Sequence, residues 1–266
     1  GVLHAASGKL GGGAGDKVRL ALLGIIFKSK GLPEQYNQAQ FVLWMRHEGI
    51  LPAVEAELTA TGRSLAQELP HMYVSAPLLK ALLKVRPDLA HTEADARKLL
   101  KEQFPQVQDV TSEQMTLAIE AALAEGGKFP LTLVVLDEVQ QYIGTDAEKA
   151  FQVQEVTETL TKHFNGKLLF VGTGQSALSG MPNLQRLLGR FPVPVMLGDW
   201  DVENVTRQII LAKKPTAQPQ VEQVWRDNLG EISRHLRGTK LEHVTDDESV
   251  MTSDYPLLPV RRRFWE

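Results

Sequence analysis

Two apolar runs in the middle of the chain have the pattern of buried parallel strands. The run "LTLVVLDE" (131–138) is apolar and β-branched and ends in two acids, and "GKLLFVGTGQ" (166–175) ends in glycine and polar residues. Runs of this kind are typical of strands buried on both faces of a parallel sheet. A helical pattern at 146–164 lies between them, which predicts a right-handed βαβ unit. We therefore expect the two strands to be parallel and adjacent, with Asp137 and Thr173 at the same edge of the sheet.

Most of the remaining pattern is helical. Between Gln38 and Glu125, and again from Pro219 to about Arg237, apolar residues recur at helical spacing. Three of the predicted helix starts carry a capping residue or a capping box: Ser75, Thr111 with Gln114, and Thr145 with Glu148. The sequence therefore predicts a largely helical segment before the two strands and another after them.

The beginning of the chain is harder to assign from its pattern. The stretch "ASGKLGGGAGDK" (6–17) is rich in glycine, which predicts a mobile loop. The next stretch, "KVRLALLGIIF" (17–27), has apolar residues on every side and is consistent with either a buried helix or a buried strand.

Composition restricts the classes of function. The chain has 266 residues, a formal net charge of −3 and no cysteine. Thiol catalysis and thiolate metal sites are therefore excluded, and a cytoplasmic location is expected. The charge gives no overall attraction to nucleic acid, and the apolar runs are too short to cross a bilayer. The chain begins with Gly1 and stops at Glu266 without a polar tail, so we expect it to be a piece of a longer protein.

The strongest chemical signal is the acid pair that follows the first predicted strand. Ligands of open α/β sheets bind at the carboxyl ends of the strands. Asp137 is therefore a candidate to hold Mg²⁺, because magnesium prefers oxygen ligands. Glu138 is a candidate to polarise the water that attacks a phosphoryl group. The alternative is that the two acids only open a solvated turn.

Polar residues also follow the second predicted strand. Thr173 and Gln175 are expected beside the terminal phosphate of a nucleotide and the attacking water, as groups that contact the cofactor. The alternative is ordinary turn chemistry, which Gly172 and Gly174 favour.

The order of these motifs resembles that of AAA+ ATPases. It comprises a strand with "DE", a helix, a strand with "GTG", a helix ending in "GRF", a strand, and a helix that starts with an acid. The resemblance implies that Arg190, or Arg186 one turn earlier, is an arginine finger that reaches the nucleotide of a neighbouring subunit. The alternative is that both are ordinary surface arginines.

Longer phrases resemble one family more closely. The stretches "LHAASGKLGGGAGDK", "GLPEQYNQAQFVLWMRHEG", "VVLDEVQQYIG" and "YPLLPVRRRFWE" are similar to the large P-loop ATPase of BREX phage-defence systems, the BrxC/PglY family. The resemblance implies ATP and Mg²⁺ as cofactors, a homo-oligomer, and other defence proteins as partners. It also implies action on DNA, directly or through those partners, and no membrane.

One departure from the AAA+ pattern concerns the phosphate-binding loop. This loop needs Gly, four residues, then Gly-Lys and Ser or Thr. In "ASGKL", Leu3 stands where the first glycine belongs and Leu10 where the hydroxyl belongs, and no strand is predicted before the motif. We therefore expect the loop to lie upstream of Gly1 and this chain alone to bind nucleotide poorly and to lack activity.

Together these observations predict an α/β fold with a partial P-loop core. We expect a largely helical segment and insertion at 1–125 and a truncated helical lid at 201–266. The core at 126–200 contains the strand that ends in Asp137 and Glu138 (the Walker B strand) and the strand followed by Thr173 (the sensor strand). Arg234 or Arg237 in the lid is a candidate to sense phosphates, against the alternative of a solvated basic helix. Besides ATP hydrolysis, two functions stay open: a nucleotide-gated scaffold, and a DNA-binding interaction module with little turnover.

Overall fold

The computed structural model describes residues 3–11, 17–174, 191, 193, 195, 198–242 and 244–257. Three strands form one sheet within these residues, in the order β1-β2-β3. The strands are β1 (Leu3–Lys9), β2 (Leu131–Asp137) and β3 (Leu168–Gly172). Both neighbouring pairs are parallel. The chain is therefore an α/β protein, as predicted, and the two strands expected from the apolar runs are parallel and adjacent.

Strand β1 corrects the expectation of a loop at the start of the chain. All seven of its residues pair with β2, from Leu3 opposite Leu131 to Lys9 opposite Asp137. Its residues are mostly small and give little β signal. The small size has a structural use, because a Cβ on Gly8 would lie 2.8 Å from the side chain of Ile25. Gly8 therefore allows the following helix to pack closely on the sheet. The expectation that no strand precedes the "GK" of "ASGKL" is also wrong, because Gly8 and Lys9 are the last two residues of β1.

The segment after β1 is a helix, which resolves the alternative left open by its apolar pattern. Helix α1 (Val18–Ser29) is buried on all sides except at its ends. It is 12 residues long, whereas about 20 apolar residues are needed to cross a bilayer. No helix in the described parts of the chain has the length and apolarity that a membrane span requires.

A helical layer then separates β1 from β2 along the chain. It contains α2 (Tyr36–His47), α3 (Leu51–Ala60), α4 (Leu65–Glu68), a 3₁₀ turn (Leu69–His71), α5 (Ala76–Val85), α6 (Glu93–Gln103) and α7 (Ser112–Leu123). The aromatic rings of Phe41, Trp44 and Phe104 pack on one another with centroids 5.4–5.9 Å apart. The predicted helical character of this stretch is confirmed.

The helix caps match the sequence signals in two of three cases. Ser75 accepts a hydrogen bond from Leu78 N–H at the start of α5, and Thr111 forms a capping box with Gln114 at the start of α7. The third prediction is wrong by one residue. Helix α9 (Ala147–His163) is capped by Asp146, whose carboxylate accepts from two backbone N–H groups. A carboxylate is a strong cap that also complements the helix dipole.

The sheet is covered on one face. In β2, Thr132, Val134 and Leu136 are buried, and the residues between them are not. Helix α1 packs on β1, α9 packs on β3, and α1 contacts both α7 and α9. On the other face, Leu169 and Val171 are more than two-fifths exposed. The prediction of strands buried on both faces is therefore wrong within the described residues.

Residues 194–266 form a second compact unit, distinct from residues 1–193. Its elements are α10 (Asp199–Val205), a π-helical turn (Thr206–Ile210), α11 (Gln218–Leu236), α12 (Thr245–Glu248) and α13 (Met251–Asp254). Arg207 donates to Asp254 Oδ1 at 2.7 Å and to Glu203 Oε2 at 3.1 Å. The Asp254 side chain is almost fully buried, so this pair ties α13 to the π-helical turn. The predicted helix after Pro219 is confirmed as α11.

Candidate functional site

The carboxyl ends of the three strands bring four polar residues together. Lys9 ends β1, Asp137 ends β2 and pairs with Lys9 in the register of the sheet, and Glu138 follows Asp137. Thr173 follows β3. The sequence pattern predicts Asp137, Glu138 and Thr173 at one edge of the sheet, and the structure confirms this placement. Lys9 was not predicted.

The backbone between Asp137 and α8 (Val139–Ile143) is sharply turned. Glu138 has φ 51° and ψ 44°, in the left-handed region. Thr173 holds the turn by backbone hydrogen bonds on both sides, since its N–H donates to Leu136 O at 2.9 Å and its carbonyl accepts from Val139 N–H at 3.1 Å. The turn directs the chain out of the sheet immediately after the acid pair.

The Thr173 hydroxyl joins the two acidic residues. It donates to Asp137 Oδ1 at 2.6 Å and accepts from the Glu138 backbone N–H at 3.1 Å. A hydroxyl has one hydrogen to donate, so this hydrogen bond commits it to Asp137. In this structure Thr173 contacts the acids themselves.

Lys9 forms an ion pair with Glu138. Its Nζ donates to Glu138 Oε2. The hydrogen bond and the charge of Glu138, together with the charge of Asp137, raise the pKa of Lys9 above its ordinary value. Two adjacent carboxylates repel each other, and the ammonium of Lys9 offsets this repulsion. The pair lies at the surface, where ion pairs contribute little to stability. Its relevance is therefore to the chemistry of the two acids.

We expect that Glu138→Gln lowers the pKa of Lys9 toward its ordinary value, because the largest cause of the shift is removed. A raised lysine pKa means that the pairing favours the folded state below the ordinary pKa of 10.5 and is lost as pH rises through the folded value. The measurement is an NMR titration of the Lys9 side chain at alkaline pH. Glu148→Gln, at the start of α9, is the control. Equal Lys9 midpoints in all three proteins would show that the pair does not persist in solution.

The oxygen donors present are compatible with a magnesium site that is completed by a nucleotide. No group of three or more histidine, aspartate or glutamate side chains with metal-binding geometry occurs among the described residues. Magnesium is usually held by one or two carboxylates together with phosphates and waters. Asp137 offers its Oδ2, for which no hydrogen bond is found within the described part of the chain.

Five further residues were predicted for the site. Gln175, Arg186 and Arg190 lie outside the described residues. Phe191, which follows Arg190 in the chain, packs partly buried against the core. Arg234 and Arg237 are exposed at the end of α11 in the second unit. Basic side chains there complement the helix dipole, so the roles predicted for these two arginines stay predictions.

The second unit contains a cleft of about 590 Å³ lined by α11, α13 and the segment around Lys213. The Lys213 Nζ donates to the carbonyls of Leu211 at 2.7 Å and Ser253 at 2.8 Å, and to the carbonyl of Tyr255. Burial lowers the pKa of Lys213. Its ammonium is thus engaged by backbone oxygens of its own unit.

No protein-family model and no solved structure matches this chain. A function for this chain is therefore inferred from its own residues and their geometry.

Proposed function

We propose that this chain carries the magnesium-binding and water-activating residues of an AAA+-type ATPase. The observation that supports the proposal best is the edge of the sheet where Asp137 and Glu138 end one strand and Thr173 follows the neighbouring parallel strand. Ligands of open α/β sheets bind at such edges. An acid pair held there by a hydroxyl from the next strand has the residue types that phosphoryl transfer needs.

Asp137 and Glu138 would have different roles in the reaction. Asp137 would hold Mg²⁺ through an oxygen or a bound water. When bound, the ion supplies positive charge to the phosphate oxygens. Glu138 would orient the attacking water and accept its proton. In this structure Glu138 Oε2 accepts a hydrogen bond from Lys9, so Lys9 must release this oxygen before it can contact the attacking water.

The wider biological role rests on the resemblance to BREX ATPases. We propose that the chain belongs to a homo-oligomeric ATPase that acts with other phage-defence proteins on DNA, with Arg190 as the arginine finger and the phosphate-binding loop outside this chain. ATP and Mg²⁺ are the proposed cofactors. The specific P-loop fold, with a helical insertion before the core and a helical lid after it, is part of the same proposal.

Asp137→Asn tests the proposed function in the full-length protein. Substitutions next to the ligands of a metal site typically cost about 10- to 100-fold in affinity or activity, so loss of a ligand should cost at least as much. We expect magnesium-dependent ATP hydrolysis to fall by about 100-fold or more. The measurement is phosphate release over a range of Mg²⁺ concentrations.

Asp146→Asn is the matched control for this substitution. It makes the same chemical change at the cap of α9, where asparagine also caps well, so turnover should be unchanged. Undiminished hydrolysis in Asp137→Asn, or absence of ATP hydrolysis by the wild-type protein with its partners, would contradict the proposal.

The ion pair between Lys9 and Glu138 favours one alternative, a nucleotide-gated scaffold with slow turnover. In that case the glutamate stays paired with Lys9 while nucleotide is bound. Single-turnover kinetics of the full-length protein distinguish the two functions, since a scaffold would retain ATP unhydrolysed for many minutes at saturating Mg²⁺.

A further inference from the structure

The backbone conformation of Glu138 calls for a physical cause. Residues with a Cβ seldom adopt the left-handed region. In the described part of the chain, the other non-glycine residue with positive φ is Asn165, at 49°, and asparagine tolerates this conformation. Glutamate has no such tolerance. Its conformation must be imposed by its surroundings.

Thr173 is the residue that bonds to the backbone on both sides of Glu138. Four hydrogen bonds join Thr173 to the turn formed by Leu136, Asp137, Glu138 and Val139. Two of them use the backbone of Thr173 and do not depend on its side chain, except that proline has no N–H to donate to Leu136 O. The other two use the hydroxyl and depend on the identity of the side chain.

The Thr173 hydroxyl accepts one hydrogen bond and donates another through the same oxygen atom. It accepts from the Glu138 N–H, which keeps this N–H satisfied in the left-handed turn, and it donates to the Asp137 carboxylate. Serine offers the same two functions, whereas valine has the shape of threonine and neither function. A direct hydrogen bond from Thr173 to a phosphate would require it to release Asp137.

We propose that Thr173 is a positioning residue that acts through the acid pair. Its hydroxyl holds Glu138 in the left-handed conformation and fixes the Asp137 carboxylate, so the two acids keep one relative orientation. The reaction that benefits is the proposed ATP hydrolysis, and the inference rests on that function for its chemistry. The hydrogen bonds themselves can be tested without any assay of activity.

A double-mutant cycle on stability isolates the role of the hydroxyl at the turn. Glycine adopts the left-handed conformation without steric cost, so Glu138→Gly should reduce the need for the hydroxyl. We expect Thr173→Val to lower the unfolding temperature by about 2–4 °C. The same substitution in the Glu138→Gly background should lower it by less than half as much.

Two controls separate positioning from a general loss of stability. Asn165→Gly relieves the other left-handed residue, which does not contact Thr173, so Thr173→Val should cost the same in that background as in the wild type. Thr157→Val removes a hydroxyl bonded to Val153 O inside α9, and its cost should be independent of Glu138→Gly. Equal costs of Thr173→Val in the Glu138→Gly and Asn165→Gly backgrounds would overturn the proposal.

Backbone chemical shifts of Glu138 provide the direct readout. They should leave the range of the left-handed region in Thr173→Val and stay there in Thr173→Ser, and unchanged shifts in Thr173→Val would overturn the proposal. If Thr173→Val alone does not fold, the double variant with Glu138→Gly should fold, and its failure would count equally against the inference. Because none of these readouts involves ATP, failure of the ATPase proposal would leave this result intact, and the reverse also holds.

Discussion

Glu138→Gln is expected to leave ATP binding intact and to reduce ATP hydrolysis by about 10²- to 10⁴-fold, the range typical of general acid–base catalysis. The amide keeps the size of the side chain but does not accept the proton of the attacking water. Because water activation acts mainly in the transition state, binding of the ground-state nucleotide should change little. The measurement combines nucleotide binding with single-turnover hydrolysis in the full-length protein.

The control for this substitution is Glu148→Gln, which changes a glutamate in the first turn of α9. It should hydrolyse ATP at the wild-type rate. Unchanged turnover in Glu138→Gln would remove Glu138 from the mechanism and favour the view that the acid pair has a structural role. Loss of both binding and turnover would contradict a role confined to the chemical step.

Phe27→Ala is expected to destabilise the first unit by about 3–5 kcal/mol, the range for large-to-small changes of a buried aromatic residue. Phe27 lies in α1 and is fully buried. Alanine would remove the whole ring and leave a cavity, since the surrounding core relaxes only in part. The loss should appear as a lower midpoint of urea unfolding, followed by circular dichroism.

Phe151→Ala is the matched control, because Phe151 lies on α9 with 57% of its surface exposed. Surface substitutions usually change stability by about 0.5 kcal/mol or less. Similar losses for the two variants would mean that α1 is not packed as described. A loss below about 1 kcal/mol in Phe27→Ala would mean the same, because it falls under the range for buried positions.

The sequence predicted the parts of the site whose signals are local. Strands β2 and β3 are short apolar runs with a helix between them, and this pattern alone predicts that Asp137 and Thr173 lie at one edge. The orientation of the Thr173 hydroxyl was not predictable, because it depends on the left-handed turn at Glu138. Nothing in the letters "DE" specifies that turn.

Lys9 could not be found by the same reasoning. Four of the seven residues of its strand are alanine, serine or glycine, which give a weak β signal, and the glycines after the strand favoured a loop. The strand forms because β2 offers it a partner and Gly8 fits against Ile25, which are both tertiary effects. In the structure Leu3, Ala5, Ser7 and Lys9 lie on the exposed side of the strand, but the letters "LHAASGK" show no alternation of apolar and polar residues that would predict it.

The sequence separations of the contacts in the site bear on the order in which it assembles. The hydrogen bond between Thr173 and Asp137 joins residues 36 apart, whereas the ion pair of Lys9 and Glu138 spans 129 residues. The difference in loop-closure entropy is only about 1 kcal/mol, but contacts distant in sequence slow folding. The β2-α9-β3 unit can therefore form from a short segment, before β1 arrives across the helical layer. During synthesis of the chain, however, β1 is made before β2 and β3. Lys9 would therefore remain unpaired until Glu138 has been synthesised.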